Sequence, residues 1–454
     1  MKLNKLMFRE YDIRGIWEED INEEISYHIG RAFATMMIKQ NKYEMIVGYD
    51  NRLSSPVIEK NLVNGLIDGG VNVTRLGLVT TPMYYYAWDK LDIHAGIMVT
   101  ASHNPKEYNG FKMSYNGIHN IFGKEVMRLY DLIKDGVYSK GKGTIKYASI
   151  KEDYVKMINS YINMGKRKLK VVYDCGNGTT SVVANDIFLS TENIQYIPLF
   201  SDSDGTFPNH HPDPAVEDNL KLLKEKVLEV GADVGIAFDG DGDRVGIIDN
   251  LGNFLPIDKF MVIIWRDIYD KVEKKEGFFD VKCSSVVKDE LIKLGIKPIE
   301  TRTGNSYTKK ISAENNYPFG GEMSGHLYFR DRFIGNDDGI YAGLRLVEIL
   351  SKTDKNIAHL LEGINKYYST DENKIMVEDS KKDEIVEKVE EYCKSKGYNY
   401  TSIDGIKVLY SDGFALIRKS NTTPCITTRY EAKTKERLDI IVEEFSSLLD
   451  KLKK

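Results

Sequence analysis

The chain has 454 residues, of which 42% are hydrophobic and 29% charged, a composition typical of globular proteins and unlike that of disordered or fibrous chains. Its net charge of −5 excludes the basic footprint of a nucleic-acid-binding protein, and the lack of any run of about 18 apolar residues argues against a membrane protein. The four cysteines lie far apart and fit neither a zinc ribbon nor a disulfide framework, so we expect a reduced, cytoplasmic protein.

Apolar strands alternate with amphipathic helices along most of the chain. In the first quarter, strands are predicted at 45–50, 71–77 and 94–100, with a helix through 56–70. Strands and helices that alternate in this way form parallel sheets covered by helices. Because such connections are right-handed, each repeat of the pattern predicts a three-layer α/β sandwich. A helix is predicted again from about 338 to 351.

The C-terminal part of the chain follows a different pattern. The charged segment 381–397 keeps an apolar stripe at helical spacing, Asp412-Gly413 is a strong hairpin signal, and a closing helix is predicted from 433 to about 452. We therefore expect three consecutive α/β sandwich domains with mixed or parallel sheets and a C-terminal α+β domain, around one central cleft. The predicted domains span 1–150, 151–255, 256–366 and 367–454.

The stretch VTASHNPKEYNGFK, residues 99–112, follows an apolar strand and brings together Thr100, Ser102, His103 and Lys112. Ser, Asn and Pro favour loops for conformational reasons, so this stretch alone is more typical of a polar turn than of a catalytic site. Whether Ser102 is a nucleophile depends on the other motifs.

The segment AFDGDGDR, residues 237–244, is the strongest single motif. Its three carboxylates alternate with glycines, which allow the backbone to wind tightly; they belong to Asp239, Asp241 and Asp243. Carboxylates this close repel one another unless a cation lies among them, and oxygen ligands favour Mg²⁺ or Ca²⁺. Arg244 is placed to hold a phosphate facing the same metal. The alternative is a solvated acidic turn.

The segment GGEMSGH, residues 320–326, carries a carboxylate, a hydroxyl and an imidazole at alternate positions. If the segment is extended, Glu322, Ser324 and His326 project to one side. That set of groups suits the vicinal hydroxyls of a sugar. A Gly-rich turn whose polar groups satisfy one another is the alternative.

The segment RKSNTTP, residues 418–424, is rich in hydrogen-bond donors. A guanidinium, an amide, hydroxyls and adjacent backbone N–H groups fit a phosphate dianion; they belong to Arg418, Ser420, Asn421, Thr422 and Thr423. A plain polar turn remains the alternative. Arg14, in YDIRG, and Lys282, at the end of a predicted strand, are lone cations, which are more often solvated than functional.

Taken together, the motifs resemble those of the α-D-phosphohexomutase family, above all its bacterial phosphomannomutase/phosphoglucomutase branch. They run in the family's order over essentially the whole chain: YDIRG, TASHNP, NGFK, DGDGDR, a strand-end lysine, TG, GEMSGH and R-x-SNT. The resemblance implies interconversion of hexose 1-phosphate and hexose 6-phosphate, from mannose or glucose, through a hexose 1,6-bisphosphate that also activates the enzyme. It also implies one Mg²⁺ per chain.

The resemblance also implies a role for each matching residue. The first domain would carry the phosphoserine, the second the metal, the third the sugar site and the fourth the phosphate site. The implied metal ligands are Ser102, Asp239, Asp241 and Asp243. The other implied catalytic residues are Arg14, His103, Lys112, Arg244 and His326. The implied substrate-binding residues are Tyr11, Lys282, Thr303, Gly304, Glu322, Ser324, His326, Arg418, Ser420, Asn421 and Thr422.

Two positions depart from the family pattern. Asn305 follows Thr-Gly where dual-specificity members commonly have histidine, and Lys419 occupies the second place of the phosphate motif. Lys112, His326 and Arg14 are candidates for the general acid and base, and the sequence does not choose among them. The partners expected are small sugar phosphates, with no nucleic acid and no membrane, for a monomer or homodimer.

Three other functions are compatible with parts of the sequence. A phosphoglucosamine mutase shares the chemistry, although GEQSGH, and not the observed Met323, is its usual motif. A phosphatase with Asp239 as nucleophile and Asp241 as acid/base would need Thr or Val where Asp243 stands. A sugar-phosphate-binding regulator would be expected to lack the nucleophile or a metal ligand.

Overall fold

The computed structural model describes residues 3–420 and 423–453. These residues fall into two units. The first holds the described residues up to Ile257 together with 305–316 and 324–360; the second holds Asp258–Gly304, Tyr317–Met323 and the described residues from Leu361 onward. Among the described residues, no helix is both long and apolar enough to cross a membrane.

The first unit begins with a six-stranded sheet. Its strands are β1 (Ile13–Ile16), β2 (Glu44–Tyr49), β3 (Asn72–Leu78), β4 (Gly96–Val99), β5 (Tyr108–Ser114) and β6 (Ile145–Tyr147), in the order β1-β5-β4-β2-β3-β6. Strand β2 is parallel to β3 and β4, whereas β5 is antiparallel to β1 and β4. The sheet is therefore mixed, and its buried strand β4 runs directly into the Ser102 segment.

Helices cover this sheet at α1 (Glu23–Ile38), α2 (Ser55–Asp68), α3 (Thr81–Lys90) and α4 (Lys124–Asp135). Asn22 and Thr80 cap α1 and α3 by accepting backbone N–H bonds, which satisfies donors that a helix start leaves unpaired. Helices α1 and α2 approach closely at Gly30 and Gly65, where an added Cβ would meet a backbone carbonyl of the other helix. Only glycine fits at these two crossing points.

A second mixed sheet follows, in the order β11-β10-β9-β7-β8. It consists of β7 (Leu169–Asp174), β8 (Ile194–Leu199), β9 (Val234–Phe238), β10 (Val245–Asp249) and β11 (Phe254–Leu255). Its helices are α5 (Lys151–Ser160), α6 (Ala184–Ser190) and α7 (Lys221–Val230). Strand β7 is parallel to β8 and β9, but β9 and β10 are antiparallel, so the acidic motif is the loop of a buried hairpin.

The first unit also contains α10 (Asn305–Asn315), β15 (Leu327–Phe329), α11 (Gly339–Ser351) and α12 (Ile357–Leu360). The helix predicted from about 338 is confirmed as α11, which Asp338 caps by accepting the Tyr341 N–H. Residues 322–326 form a turn in which Gly325 has φ +100°. The extended arrangement considered there is wrong, because Gly325 adopts a positive φ that favours a turn.

The second unit contains α8 (Ile257–Ile268), β12 (Glu276–Asp280), α9 (Ser285–Lys293), β13 (Lys297–Thr301) and β14 (Phe319–Gly321). Strand β12 pairs in parallel with β13 and β14. Lys282, predicted at a strand end, follows β12 by two residues and is buried.

The C-terminal elements of this unit are β16 (Tyr368–Ser369), β17 (Asn373–Met376), α13 (Lys382–Lys396), β18 (Tyr400–Thr401), β19 (Ile406–Tyr410), β20 (Gly413–Lys419), β21 (Cys425–Ala432) and α14 (Lys435–Leu452). Their strands form an antiparallel sheet in the order β16-β21-β20-β19-β18, with β17 also on β21. The α13 stripe of Ile385, Val389 and Cys393 packs into its core. The Asp412-Gly413 hairpin and the closing helix are confirmed.

Within residues 3–420 and 423–453, four short 3-10 turns are also present, at Lys5–Met7, Thr179–Val182, Glu217–Leu220 and Asp379–Lys381. The predicted fold class, α/β regions with mixed sheets followed by an α+β module, is confirmed. The domain boundaries and the central cleft stay predictions.

A buried hydrogen bond ties α5 to the start of α11. The Tyr154 hydroxyl donates to Asp338 Oδ2 at 2.6 Å, and both side chains are buried. We expect Tyr154→Phe to lower the free energy of unfolding by about 1.5–3 kcal/mol, because it leaves a buried carboxylate oxygen without its donor. Thermal or denaturant unfolding measures the loss. Tyr86→Phe, whose ring lies 5.9 Å from that of Tyr154, is the control, and an equal loss in both variants would contradict the prediction.

Candidate active site

Ser102 lies in the loop after β4 and is 1% exposed. Its hydroxyl donates to Asp239 Oδ2 at 2.8 Å, and its backbone N–H donates to Thr100 Oγ1 at 2.8 Å. The residue has φ +52°, a left-handed conformation that costs a non-glycine residue about 1–2 kcal/mol. Backbone strain of this kind persists where the surroundings impose it and clusters at functional sites.

Three buried carboxylates surround the same point. Asp239, Asp241 and Asp243 lie in the β9–β10 loop, are 0% exposed, and bring one oxygen each within 4.8 Å of the others. Asp239 Oδ1 accepts the backbone N–H groups of Gly242 and Arg244 at 3.0 and 3.1 Å. The Oδ1 atoms of Asp241 and Asp243 are buried without a hydrogen-bond partner. Buried carboxylate oxygens of this kind are costly unless a cation takes them up, so the cluster could hold a metal ion.

Besides Arg244, whose Nε lies 3.8 Å from Asp239 Oδ2, Lys112 supplies the closer positive charge in this cluster. Its Nζ lies 2.7 Å from Asp241 Oδ2 and 2.5 Å from Asp243 Oδ2. Burial disfavours the charged amine, but the two aspartates outweigh it and raise the pKa of Lys112. Burial likewise opposes ionisation of Asp241, yet Lys112 lowers its pKa. Burial and the neighbouring carboxylates raise the pKa of Asp239 well above its ordinary value, against the opposing effects of Arg244 and Lys112.

Arg244 and His326 lie beside the carboxylates in the first unit. Arg244 Nε donates to His326 Nε2 at 2.9 Å, and His326 Nδ1 lies 2.8 Å from Asp337 Oδ2. Because Nε2 accepts, the proton of the imidazole is on Nδ1 and points at Asp337. Asn305, the departure noted in the sequence, contacts both His326 Nδ1 (2.9 Å) and Asp337.

The remaining candidates of the first unit lie on or near the Ser102 loop. Arg14 donates from Nη1 to the Ala101 carbonyl at 3.1 Å and to Asn104 Oδ1 at 2.5 Å. His103 Nδ1 is 3.4 Å from Ser102 Oγ; burial and the nearby Arg244 lower its pKa well below the ordinary value. For Tyr11, the backbone carbonyl accepts the Ser306 hydroxyl at 3.2 Å, and Ser324 lies in the turn before β15.

In the second unit, predicted substrate cations pair with carboxylates. Arg418 Nη2 is 2.9 Å from Asp404 Oδ2, and its Nη1 is 3.8 Å from Glu372 Oε1. Lys282 Nζ lies 3.2 Å from Glu372 Oε2, and the Thr303 N–H donates to Asp404 at 3.0 Å. Five polar groups from distant parts of the sequence therefore meet in one cluster.

The other predicted residues of this unit form two smaller groups. The Gly304 N–H donates to Glu322 Oε1 at 2.8 Å. Ser420 Oγ accepts the Thr423 N–H at 3.1 Å. Asn421 and Thr422 were predicted as phosphate ligands and lie outside the described residues.

Sequence reasoning missed several residues of these clusters. Asp337, Glu372 and Asp404 stand in no recognisable chemical motif, and each contacts its partner across 11 or more positions of the chain. The one available signal was the acidic pair GNDDG before α11, which fits a helix cap equally well. Thr81 was also missed; its hydroxyl donates to Asp241 Oδ2 at 2.6 Å.

Comparison with known proteins gives matches along the whole chain. Four family models described as phosphoglucomutase/phosphomannomutase match: alpha/beta/alpha domains I, II and III at 5–136, 152–252 and 256–367, and the C-terminal domain at 372–448. The phosphomannomutase/phosphoglucomutase of Pseudomonas syringae pv. tomato is 41% identical over 446 residues, covering 98% of this chain and 95% of that protein. A probable phosphoglucosamine mutase of Methanothermobacter thermautotrophicus is 34% identical over 455 residues, covering 98% of each.

A solved structure is similar over the same length. The crystal structure of a phosphoglucomutase/phosphomannomutase family protein from Burkholderia thailandensis has a TM-score of 0.92 at 34% identity, covering 100% of this chain and 98% of its own.

Proposed function

The chain belongs to the phosphoglucomutase/phosphomannomutase family, and we propose that it interconverts hexose 1-phosphate and hexose 6-phosphate through a phosphorylated Ser102. Hexose 1,6-bisphosphate is the intermediate and the activator of the dephosphorylated enzyme. The observation that carries the proposal is the 2.8 Å contact between the Ser102 hydroxyl and Asp239, inside a buried triad of carboxylates. A strained, buried hydroxyl in that setting is a nucleophile poised beside a cation site.

We assign the carboxylate triad to one Mg²⁺ per chain. Asp239, Asp241 and Asp243 would be its ligands together with the Ser102 oxygen, and the buried Oδ1 atoms of Asp241 and Asp243, which accept no hydrogen bond, support the fit. All four donors are oxygens, which Mg²⁺ prefers. When bound, such an ion offsets negative charge on the phosphoryl oxygens.

Arg244 and Lys112 supply the rest of the positive charge in this proposal. Electrostatic stabilisation of the transferring group by fixed donors is the main contribution expected in phosphoryl transfer. Because two aspartates raise the pKa of Lys112, it is protonated before the transfer, so it is a proton donor and not the general base.

We assign the general base to His326. Its Nε2 carries a lone pair that now accepts from Arg244, and its Nδ1 proton is fixed by Asp337. When Arg244 turns to the phosphoryl group, Nε2 takes the proton of the sugar hydroxyl as the sugar oxygen bonds to phosphorus. The bond from phosphorus to Ser102 Oγ breaks, and this oxygen takes a proton, for which Lys112 is our candidate donor. The second half-reaction reverses these transfers on the other end of the sugar.

We assign substrate binding to the second unit. Arg418, Lys282 and Ser420, with Asn421 and Thr422, would bind the phosphate that is not reacting, and Thr303, Gly304 and Glu322 would contact the sugar. Binding that phosphate would hold the reacting hydroxyl of the sugar close to the phosphoryl group, which lowers the entropic part of the barrier.

Mannose and glucose phosphates are the proposed substrates. Met323 in GEMSGH favours them over glucosamine phosphate, and the relative from Pseudomonas syringae carries both names, mannose and glucose. The probable phosphoglucosamine mutase at 34% identity makes glucosamine 1-phosphate the comparison substrate in an assay. A cytoplasmic location and a monomeric or dimeric state stay predictions.

Intact-protein mass spectrometry with peptide mapping tests the proposal. After incubation with glucose 1,6-bisphosphate and Mg²⁺, we expect one added phosphoryl group, confined to Ser102, and none in Ser102→Ala. A label on Asp239 would instead indicate the phosphatase. Asp239 disfavours that chemistry, since both of its oxygens already accept hydrogen bonds, and Asp239→Asn should slow labelling of Ser102 without moving it.

A further inference from the structure

Arg52 lies in the segment between β2 and α2, is 1% exposed, and has a role in none of the assignments above. Its two terminal nitrogens donate to four backbone carbonyls of a single loop. The acceptors are Ser102 (2.8 Å) and Asn104 (2.7 Å) for Nη2, and Pro105 (2.6 Å) and Tyr108 (3.0 Å) for Nη1. The loop that carries the nucleophile is therefore wrapped around one guanidinium.

The guanidinium is itself fixed on its other sides. Arg52 Nε donates to Asp50 Oδ2 at 3.1 Å, and Asp50 Oδ1 accepts the Ser55 hydroxyl at 2.5 Å. The ring of Phe207 lies 5.3 Å from the guanidinium carbon, within range of a cation–π contact. All five N–H donors of the group are thus directed at acceptors of the protein.

This arrangement accounts for the conformation of Ser102. A serine at φ +52° needs its surroundings to impose that backbone, and Arg52 binds the carbonyl of this same residue. Arg14 also donates hydrogen bonds to the loop, but to the Ala101 carbonyl and the Asn104 side chain. The Ser102 carbonyl is bound by Arg52. Lysine cannot replace the planar fork, because one ammonium does not reach four carbonyls in this geometry.

We propose that Arg52 is a positioning residue for the phosphoryl transfer, holding Ser102 in the strained conformation that points its hydroxyl at Asp239. The inference rests on the proposed function. Arg52 contacts the loop backbone and neither the carboxylate triad nor the sugar-binding residues, so its loss should slow the chemical step without weakening substrate binding.

The test compares Arg52→Lys with Arg75→Lys. Arg75, in the neighbouring strand β3, is the control, since it forms a two-point ion pair with the buried Glu59 at 2.7 and 2.5 Å. We expect Arg52→Lys to lower kcat and the rate of Ser102 labelling by about 100-fold, the size typical of small misplacements, with KM within about threefold of wild type. Arg75→Lys should lose stability while keeping kcat.

Four outcomes are distinguishable. Folded Arg52→Lys with a wild-type kcat would overturn the inference, as would a KM that rises while kcat is kept. If wild type is not labelled on Ser102, the proposed function fails before Arg52 is tested. If Arg52→Lys does not fold, Asp50→Asn, which removes one anchor and leaves the four carbonyl bonds, replaces it: a several-fold lower kcat at constant KM supports the inference, and a wild-type kcat overturns it.

Discussion

Ser102→Ala is expected to lower kcat by at least about 10⁴-fold, the scale seen when a covalent nucleophile is removed. The substitution deletes the hydroxyl that contacts Asp239 and leaves the buried carboxylates and the loop backbone in place. A coupled assay of hexose 6-phosphate formation, with glucose 1,6-bisphosphate and Mg²⁺ present, measures the loss. More than about 1% of the wild-type kcat in this variant would remove Ser102 from the mechanism, since catalysis without the nucleophile falls far below that.

Ser102→Gly is the matched control for this variant. It is expected to be equally inactive, yet more stable than Ser102→Ala by about 1 kcal/mol, because glycine adopts φ +52° without the penalty that a Cβ carries. Denaturant unfolding of the two variants side by side isolates the strain from the lost hydrogen bond, which both lack. Equal stability would mean that the nucleophile's backbone stores no strain.

Lys112→Met should destabilise the protein strongly without divalent metal and much less with it. The lysine is 6% exposed and pairs with two of the three buried aspartates, so its removal leaves their charge uncompensated, at a cost of about 3–5 kcal/mol. For a unit of about 300 residues that corresponds to a fall in Tm of about 5–8 °C. In millimolar Mg²⁺ most of the fall should be recovered, because bound cation stabilises the folded state. Thermal unfolding in EDTA and in Mg²⁺ measures both.

Lys282→Met is the control for the metal dependence. Lys282 is also buried, but its partner is Glu372 in the second unit. Its loss should lower Tm by the same amount in EDTA and in Mg²⁺. If Mg²⁺ restores both variants equally, or neither, the triad is not where the cation binds.

The fold and the residues of the proposed catalytic site could be predicted from local signals in the sequence. The DGDGDR loop follows a buried apolar strand, and its three carboxylates converge as its glycines predicted. The hairpin at Asp412-Gly413 could be predicted for the same reason, because two or three adjacent residues determine such a turn. The role of Ser102 could not be predicted from its own stretch, which indicated only a turn. The structure does have a turn there, and the other motifs were needed to suggest a nucleophile.

The counter-charges of the site could not be predicted. Asp337, Glu372 and Asp404 matter because of which side chains they meet, and those partners are remote in sequence. Arg52 lies in an ordinary polar loop, so the sequence alone indicates a surface cation. Its four carbonyl partners are known only from the structure. The prediction for the GEMSGH segment was wrong for another reason. Side chains at alternate positions lie on one face only if the backbone is extended, and at Gly325 the backbone turns.

Under the proposed function, the carboxylates of Glu372 and Asp404 make phosphate capture in the second unit an exchange of anions. They already occupy Arg418 and Lys282, so an incoming dianion replaces internal carboxylates in the cations' coordination. Part of the Coulomb gain is returned when those carboxylates are released, which weakens the dependence of affinity on ionic strength. A neutral sugar would displace neither acid, so under this proposal the cluster selects ligands with enough negative charge to replace the two carboxylates.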